Sequence, residues 1–321
     1  MIRLGIIGCA EIAKKSIIPA LKNLEDKFQI VGIGSRSKKK SLIFQSEFGI
    51  KPYDSYQSLI DDGNLDAVYI PLPNSLHYEW IKKALNNNIH VLVEKSMCCT
   101  YQEVKIVNEI ARRNDLVLME NFQFRFHNQM TVIKKIVDNR EIGDLRCIRS
   151  SFGFPPFNDK NNIRYNRNLG GGALLDVGAY PLKLTQILLG ENLRVCSSNL
   201  FIDDNFGIDL WGGAYLQQKD SGLFSQIAFG FDNHYQCNLE LWGSKGALKA
   251  NRIFTAPANL KVNLDIHSDK GHELISVEPC NHFVNLLLYF FNLITNVEKK
   301  AYEYSQNLIQ SDLIQQLYKK S

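Results

Sequence analysis

The chain has 321 residues, of which 45% are hydrophobic and 22% charged, and its formal net charge at pH 7 is +4. The cationic side chains are spread along the sequence apart from one short run at 38–40, so the composition argues against a nucleic-acid-binding surface. The length exceeds what one hydrophobic core usually supports, and two domains are therefore expected.

The cysteines and the apolar segments predict a cytoplasmic protein without a metal centre. Seven cysteines, an odd number, are scattered without a C-x-x-C motif, and no histidine pair has metal-ligand spacing. The opening "IRLGIIG" lacks the features of a signal peptide, and the apolar stretch 283–294 is too short to span a bilayer. We expect a reducing compartment, no membrane segment and no bound metal.

Residues 1–122 alternate short apolar runs with amphipathic stretches. Strands are predicted in "RLGIIG", "FQIVGIGS", "DAVYIPLP", "HVLVEKS" and "LVLMEN", and helices over 11–25, 38–48, 55–61, 76–87 and 100–114. This alternation predicts an α/β domain of the Rossmann type, with a doubly wound parallel sheet. Ligands of such sheets bind beyond the carboxyl ends of the strands, where the candidate residues should lie.

Residues 123–321 have a different rhythm. Helices are predicted over 128–140, 279–295 and 303–318, and a further helix begins within 170–182. Strands are predicted over 145–154, 194–203, 207–217, 222–232, 235–242, 246–253 and 260–268. The pattern indicates an α+β domain for substrate binding and oligomerisation, with a large, mostly antiparallel open sheet. Whether the C-terminal helices pack back on the first domain is left open.

The first strand ends in "GIIGCAEIA", which places small residues at the three positions of a G-x-G-x-x-G/A turn: Gly8, Ala10 and Ala13. Small residues let the chain turn tightly and bring backbone N–H groups close to a pyrophosphate. The alternative is a purely structural turn. The predicted phosphate-binding residues are Gly8, Cys9, Ala10, Glu11 and Ile12.

The segment after the second strand, "GSRSKKK", favours NADP(H) over NAD(H). Enzymes that bind NAD usually hold the ribose hydroxyls with an acidic residue at this point, and none is present. Ser35, Arg36 and Lys40 instead supply donors and positive charge for a 2′-phosphate. A solvated basic helix start would explain the lysines but not the missing carboxylate.

Two further loops are predicted at the same edge of the sheet. In "PLPNSLHYEW", Pro71 and Leu72 are predicted to contact the cofactor and lead into a helix start. There Asn74 either contacts the cofactor or caps the helix, and His77 either lines the cofactor channel or packs. In "VLVEKS", Glu94 and Lys95 follow a buried strand and are also predicted to bind the cofactor. Lys95 would then orient a substrate oxygen or lower the pKa of a neighbour, although most lysines lie on the surface.

The stretch "GGGALLDVGAYPL" places Asp176 and Tyr180 four residues apart on one helix face. Carbonyl reduction requires a hydride donor and an acid, and a tyrosine serves as the acid if a nearby cation lowers its pKa. We assign that cation to Lys95, and Asp176 either holds Lys95 or binds a substrate hydroxyl. The alternative for Tyr180 is a tyrosine that covers a domain interface.

Over nearly its full length the chain resembles the glucose–fructose oxidoreductase/inositol dehydrogenase/MocA (Gfo/Idh/MocA) family of nicotinamide-dependent oxidoreductases. The resemblance is carried by "GIIGCAEIA", "PLPNSLH", "EKS" where the family has E-K-P, and "GGGALLDVGAYPL". It implies that Lys95, Asp176 and Tyr180 serve the proton chemistry. If the family's lysine–proline bond is cis, Ser96 in place of proline makes that form costly, about 2.5–4 kcal/mol, so the loop relaxes to trans or is compensated locally.

Longer stretches, including "LMENFQFRFHNQ" and "NRIFTAPAN", resemble the family's C-3 ketoreductases of dTDP-linked deoxysugars. That branch implies an NADP(H)-dependent reductase of a nucleotide-linked keto-sugar. Substrate contacts are expected from Asp176, Tyr180, Arg164, Tyr165, Asn251 and Arg252, with the cations facing a diphosphate. The alternatives are an NADP-dependent dehydrogenase of a free sugar, polyol or trans-dihydrodiol, and a non-catalytic NADP-binding regulator. A homodimer or homotetramer is expected.

Overall fold

The computed structural model describes residues 1–62, 64–296 and 300–321. The chain divides into two compact units, each described here by itself. Unit 1 consists of Met1–Asn121 and Phe283–Leu308, and unit 2 consists of Phe122–His282 and Ile309–Ser321. None of the described helices has the length and apolarity needed to cross a bilayer.

Unit 1 contains a six-stranded parallel sheet in the order β3-β2-β1-β4-β5-β6. Its strands are β1 (Ile2–Ile7), β2 (Phe28–Gly34), β3 (Pro52–Tyr53), β4 (Ala67–Ile70), β5 (His90–Glu94) and β6 (Leu118–Asn121). The central strand β4 is buried at every residue, as expected for a sheet covered on both faces. The predicted Rossmann sheet is confirmed, and only the two-residue β3 was not predicted.

Helices separate these strands, and three of them begin at side-chain caps. The helices of the first 121 residues are α1 (Ile18–Lys22), α2 (Lys38–Phe48), α3 (Tyr56–Asp61), α4 (Asn74–Asn86) and α5 (Tyr101–Arg113). Ser37 caps α2, and capping boxes start α3 at Ser55 and α5 at Thr100. A π-helical turn, Ala13–Ile17, precedes α1, so the predicted first helix is α-helical only in part.

Unit 1 also contains residues from the C-terminal helices α8 (His282–Thr295) and α9 (Lys300–Lys320). The ring of Phe291 meets Phe28 edge to face at a centroid distance of 5.8 Å. The Asn307 side chain donates to Asn108 Oδ1 at 3.1 Å and to the Leu118 carbonyl oxygen at 3.0 Å. Residues 283–308 thus pack onto the first 121 residues of the chain.

Unit 2 contains an eight-stranded sheet in the order β14-β13-β12-β11-β7-β10-β9-β8. The strands are β7 (Leu145–Gly153), β8 (Leu193–Asp203), β9 (Ile208–Gln218), β10 (Phe224–Gly230), β11 (Gln236–Gly243), β12 (Gly246–Asn251), β13 (Val262–Ser268) and β14 (Gly271–Val277). Only β7 and β10 pair in parallel, which confirms the predicted mostly antiparallel sheet. The sequence analysis missed β14 because this edge strand is mostly exposed and lacks apolar alternation.

The core of unit 2 lies against one face of this sheet. Helix α6 (Asn128–Asp138) follows β6, and α7 (Ala179–Leu189) packs against β7 and β10. Nearly every side chain of α7 is buried, which explains its apolar sequence. Leu182 and Leu184 of α7 belong to the same buried cluster as Ile148 and Phe229 of the sheet.

Candidate active site

The turn after β1 requires a glycine at its first position. Gly8 has a φ of +119°, and a Cβ atom there would lie 2.7 Å from Leu72 Cδ2. The Gly8 amide donates to the Gly34 carbonyl oxygen at 3.0 Å, which ties the turn to the end of β2. The backbone therefore turns tightly at the carboxyl edge of the sheet, as a phosphate-binding turn must.

Cys9, Ser35 and Lys40 are neighbours at this turn. Burial raises the pKa of the Cys9 thiol, and the Ser35 hydrogen bond and the Lys40 charge oppose that shift. Ser35 Oγ also accepts from the Ser37 amide at 3.1 Å. Glu11 points away into an ion pair with Lys15 at 3.0 Å, with both side chains exposed. Because the Glu11 side chain is engaged by Lys15, only the backbone of Glu11 is predicted to contact a cofactor.

Arg36 is the exposed cation after β2. Its guanidinium lies over the Tyr56 ring, with its carbon 5.9 Å from the ring centroid, and Tyr56 in turn meets Trp80 edge to face at 5.1 Å. This aromatic support orients a planar cation that is able to bind a phosphate in bidentate fashion. Because no carboxylate occurs between residues 35 and 41, the donor set fits a 2′-phosphorylated dinucleotide.

The loop after β4 packs onto the glycine turn. Pro71 and Leu72 are buried, and the Leu72 side chain is the group that a Cβ at Gly8 would strike. Asn74 is the first residue of α4, and Pro73 occupies the N-cap position without a side-chain hydrogen bond. The alternative that Asn74 caps the helix is therefore wrong, because the helix starts one residue earlier than a cap at 74 allows. Contact of Asn74 with a cofactor stays a prediction.

His77 lies in the interior of unit 1. It has no exposed surface, and its Nδ1 and Nε2 lie 2.8 Å from the Ser96 and 2.7 Å from the Leu72 carbonyl oxygen. Burial lowers the pKa of His77 to about 4, against the opposing effect of these carbonyls. The geometry is that of the packing alternative. His77 is too deeply buried for direct contact with a cofactor, and it instead joins the loops that contain Leu72 and Ser96.

Glu94 and Lys95 end β5 at the same edge. Glu94 Oε1 accepts from the Tyr69 hydroxyl and from Asn121 Nδ2, both at 2.6 Å, and burial raises the pKa of Glu94. Lys95 is half-buried, and its charge acts on both Glu94 and His77. Asn121 Oδ1 is buried and has no hydrogen-bond partner within the described ranges, so an acceptor remains for a bound ligand.

The peptide bond between Lys95 and Ser96 is cis, so the alternative that it relaxes to trans is wrong. The chain on both sides of the serine is held by neighbours within unit 1. The Ser96 carbonyl oxygen contacts His77, and the Met97 amide donates to Glu120 Oε1 at 2.7 Å. These contacts come from residues far from "EKS" in the sequence, so the motif alone could not predict them.

The three glycines of "GGGALLDVGAYPL" have different structural roles. Gly170 has a φ of +73° and ends a short 3₁₀ turn. A Cβ at Gly171 would lie 2.4 Å from the Arg164 carbonyl oxygen, and one at Gly172, where φ is +120°, would lie 2.5 Å from Asp209 Oδ1. The glycines therefore allow the chain to pass closely between a backbone carbonyl and a buried carboxylate.

Asp209, the carboxylate beneath this turn, was not predicted from the sequence. Asp209 is 3% exposed and accepts from the Leu174 amide at the start of the π-helical turn Leu174–Gly178. Burial raises the pKa of Asp209. The only sequence signal was a charged residue early in β9, among apolar neighbours. Asp209 satisfies amide groups at the helix start and so fixes the segment that carries Asp176 and Tyr180.

Asp176 pairs with Arg164. Asp176 Oδ2 accepts from Arg164 Nε at 2.6 Å, and the Asp176 charge raises the pKa of Arg164. The charge of an ionised Tyr180 also raises the pKa of Arg164, with a smaller effect than that of Asp176. Arg164, which was assigned to a diphosphate, lies twelve residues away in the chain, and the contact of Asp176 with Lys95 or with a substrate hydroxyl stays a prediction.

The Tyr180 ring packs among four phenylalanines of unit 2. Its hydroxyl lies 3.4 Å from Gln123 Oε1, to which it donates, and Gln123 Nε2 donates to the Phe254 carbonyl oxygen at 3.2 Å. Gln123, for which the sequence predicted no role, therefore orients the phenol. The four ring contacts, with centroid distances of 5.0–5.9 Å, come from Phe122, Phe124, Phe152 and Phe254.

The remaining predicted substrate residues differ in accessibility. Tyr165 is 5% exposed, and its hydroxyl accepts from the Phe157 amide at 3.0 Å, so it holds the loop in front of the glycines. Asn251 and Arg252 are exposed at the end of β12, and Arg252 Nη1 donates to the Tyr235 hydroxyl at 2.8 Å. The substrate contacts of Tyr165, Asn251 and Arg252 stay predictions. Arg252 is more accessible than Arg164.

Two family models match the chain. Residues 2–122 match the model described as "Oxidoreductase family, NAD-binding Rossmann fold", and residues 130–249 match the "GFO/IDH/MocA C-terminal domain". The two matches together cover both the nucleotide-binding edge of unit 1 and most of the sheet of unit 2.

Curated proteins and solved structures are similar to the chain over most of its length. A dTDP-3,4-didehydro-2,6-dideoxy-alpha-D-glucose 3-reductase of Streptomyces violaceoruber is 37% identical, with 85% of this chain and 79% of that protein covered. The protein of that name from Actinomadura kijaniata is 34% identical, with coverage of 98% and 93%. The structure of an Actinomadura kijaniata 3-ketoreductase with NADP and TDP-benzene superposes with a TM-score of 0.95 at 33% identity, with coverage of 99% and 97%.

We expect Gly8→Ala to destabilise the protein more than Gly49→Ala. Gly49 also has a positive φ, +71°, but an added Cβ would meet no atom within 4 Å. Gly49→Ala should therefore lower the free energy of unfolding by about 1 kcal/mol through backbone strain alone. Gly8→Ala adds the collision with Leu72 and should cost about 2–4 kcal/mol. Urea denaturation of both variants checks this, and equal losses would contradict the inferred close contact.

We expect acidification to destabilise the protein through His77. The pKa of His77 in the folded state is about 4, below its ordinary value. As the pH falls from about 6.5 to 4, His77 is therefore protonated to a greater extent in the unfolded chain than in the folded protein. Between pH 7 and 5 this one group lowers the free energy of unfolding by about 2 kcal/mol. Urea denaturation at both values should show a smaller fall in His77→Gln. Parallel pH profiles of the two proteins would contradict the assignment.

Proposed function

Because the chain belongs to the GFO/IDH/MocA oxidoreductase family, we propose that it is an NADP(H)-dependent reductase of the C-3 keto group of a dTDP-linked deoxysugar. The observation that carries the proposal is the similarity to a 3-reductase over 98% of this chain, which includes both units. The residues of both units that bear on this chemistry are consistent with it.

The groups at the carboxyl edge of unit 1 fit NADP(H). The Gly8 turn leaves no room for a Cβ, which is the property that lets backbone amides approach a pyrophosphate. Arg36, with Ser35 and Lys40 nearby, would hold the 2′-phosphate. Glu94, Lys95 and the unpartnered Asn121 Oδ1 follow strands further along the same edge, where the reactive end of a dinucleotide is expected.

When bound at the residues assigned above, NADPH would supply a hydride for addition to the keto carbon. The carbonyl π electrons then move to oxygen, and a proton must reach this developing alkoxide to complete the alcohol. We assign that proton to the Tyr180 hydroxyl, whose ring is fixed by four phenylalanines and whose O–H is oriented by Gln123. A rigid ring with one hydroxyl lets the acid approach the substrate from a defined direction.

Two cations are assigned to lowering the pKa of Tyr180 and stabilising charge on the substrate oxygen. Arg164 is close enough to interact electrostatically with an ionised Tyr180, and its ion pair with Asp176 holds it in place. Asp176 is therefore a positioning residue for Arg164. Lys95 is assigned to the substrate oxygen, and its action on Tyr180 stays a prediction. Release of the alcohol and reprotonation of the phenolate from solvent complete the cycle.

The substrate diphosphate needs cationic donors. Arg252 is exposed and held by Tyr235, and Asn251 precedes it in the chain, so this pair is the first candidate for the diphosphate. Arg164 is the second candidate, although its Nε is engaged by Asp176. The buried Tyr165 would act by holding the loop rather than by direct contact.

We also propose that the protein is a homodimer or homotetramer. The outer face of the unit 2 sheet exposes aromatic side chains, including Trp242 at 52% exposure and Trp211 at 39%. Phe201 and Trp211 stack with their centroids 5.0 Å apart on this face. Exposed aromatic clusters of this kind favour association with a second copy. The predicted cytoplasmic location is retained as a proposal.

We expect tight NADPH binding that depends on Arg36. Removal of the guanidinium in Arg36→Ala should weaken NADPH binding at least about ten-fold and leave NADH binding nearly unchanged, because only NADPH carries the 2′-phosphate. Arg113→Ala, which removes an exposed cation from α5, is the matched control. Fluorescence titration of both nucleotides checks this. Equal affinity for NADPH and NADH in the unchanged protein would contradict NADP specificity.

We expect Tyr180→Phe to lower kcat for a dTDP-linked 3-keto-deoxysugar at least about ten-fold, because it removes the assigned acid. Lys95→Ala should reduce kcat/KM, since it removes charge stabilisation at the oxygen. Tyr215→Phe is the matched control, because Tyr215 lies on a strand of unit 2, where its ring packs against Phe224. Stopped-flow oxidation of NADPH checks these effects.

The same assays separate the alternatives. Unchanged turnover in both Tyr180→Phe and Lys95→Ala would overturn the assigned proton chemistry. Turnover of free sugars, polyols or trans-dihydrodiols with NADP⁺, without activity on dTDP-linked keto-sugars, would favour the dehydrogenase alternative. NADPH binding without any turnover would favour the regulator.

A further inference from the structure

Three potential metal ligands meet on the outer face of the β13–β14 hairpin. His267 Nε2 lies 3.1 Å and His272 Nε2 lies 2.8 Å from the same oxygen, Asp265 Oδ1. The donor atoms of the three side chains all lie within 4.8 Å of one another. The two imidazole rings stack almost in parallel, with centroids 4.4 Å apart and an interplanar angle of 12°.

The strand register brings these residues together. Asp265 and His267 are two residues apart on β13 and share one face, and His272 is the direct cross-strand partner of His267. The hairpin turn is itself anchored, since the Asp269 amide donates to the Lys245 carbonyl oxygen at 3.1 Å. The ligands therefore stand on paired strands rather than on a loose loop, which favours a preorganised site.

The separations agree with coordination of one small ion. Tetrahedral Zn²⁺ bound at about 2.0–2.1 Å keeps its ligand atoms about 3.3 Å apart. The two nitrogen–oxygen separations, 3.1 and 2.8 Å, require shifts of only a few tenths of an ångström, but the stacked imidazole rings must rotate so that the ion lies in the plane of each ring. All three side chains are partly exposed, between 39% and 60%, so an ion can enter and a water can complete the coordination.

The donor set selects the class of ion. Two imidazole nitrogens and one carboxylate suit Zn²⁺ and neighbouring transition metals, whereas Ca²⁺ and Mg²⁺ prefer oxygen ligands. Lys249 is the cross-strand neighbour of Asp265 on β12, so a positive charge near the site opposes the binding of any cation to the same degree. Without an ion, Asp265 would simply accept hydrogen bonds from the two histidines.

Contrary to the expectation from the sequence that no metal is bound, we propose that Asp265, His267 and His272 form a binding site for a divalent transition-metal ion, which would hold the edge strand β14 against β13. The site is independent of the proposed reductase activity. It uses none of the residues assigned to NADP(H) or to the substrate. Its test therefore needs no turnover.

The experiment is isothermal titration of Zn²⁺ into the full, tag-free chain, with Co²⁺ absorption as the spectroscopic probe. We expect one equivalent of Zn²⁺ to bind, and visible Co²⁺ bands without the near-ultraviolet bands of cysteine thiolates. Loss of a direct ligand in His267→Ala or His272→Ala should lower the affinity at least about ten-fold. His234→Ala, which removes an exposed histidine from another loop of unit 2, is the matched control.

A second measurement covers the folding of the variants. Zn²⁺ should raise the melting temperature of the unchanged protein and of His234→Ala, and should not raise that of His267→Ala. Absence of saturable binding would overturn the proposal and leave a hydrogen-bonded cluster. Binding that persists in His267→Ala and His272→Ala, thiolate bands, or a preference for Ca²⁺ would overturn it as well.

Discussion

The ligand-facing edge of unit 1 depends on one buried imidazole. The two nitrogens of His77 meet the carbonyl oxygens of Leu72 and Ser96, which joins the loop after β4 to the loop after β5. Leu72 also covers the Gly8 turn, and Ser96 follows Lys95 directly. The Gly8 turn, which we propose to bind phosphate, and Lys95, which we propose to bind substrate, are therefore positioned through the same fully buried side chain.

In unit 2, two carboxylates hold the backbone and a neighbouring side chain in place. Asp209 binds the backbone at the start of the helix that carries the site, and Asp176 binds Arg164 beside Tyr180. Gly171 and Gly172 are needed because the Arg164 carbonyl oxygen and the Asp209 carboxylate lie where a Cβ atom at each glycine would be. The Asp176 and Asp209 carboxylates thus position neighbouring groups, and the Tyr180 hydroxyl is the group proposed to act on substrate.

The sequence alone predicted the fold class, the doubly wound sheet and most strands of the second sheet, because these follow from apolar periodicity and turn residues. It also picked Gly8, Arg36, Lys95 and Tyr180 from their places after strands and in motifs. It missed β14, which is exposed at a sheet edge, and it placed the N-cap of α4 one residue late. Its trans alternative at Ser96 was wrong, since the contacts of Ser96 come from distant parts of the chain.

The sequence by itself determined the family, the chemistry available and the order of the elements, because those depend on residue types and local spacing. Only the tertiary structure decided which polar groups meet: Asp176 with Arg164, Tyr180 with Gln123, and His267 with His272. These pairs lie in different elements or across a hairpin. Their distances are set by strand register and helix packing, which sequence spacing does not report.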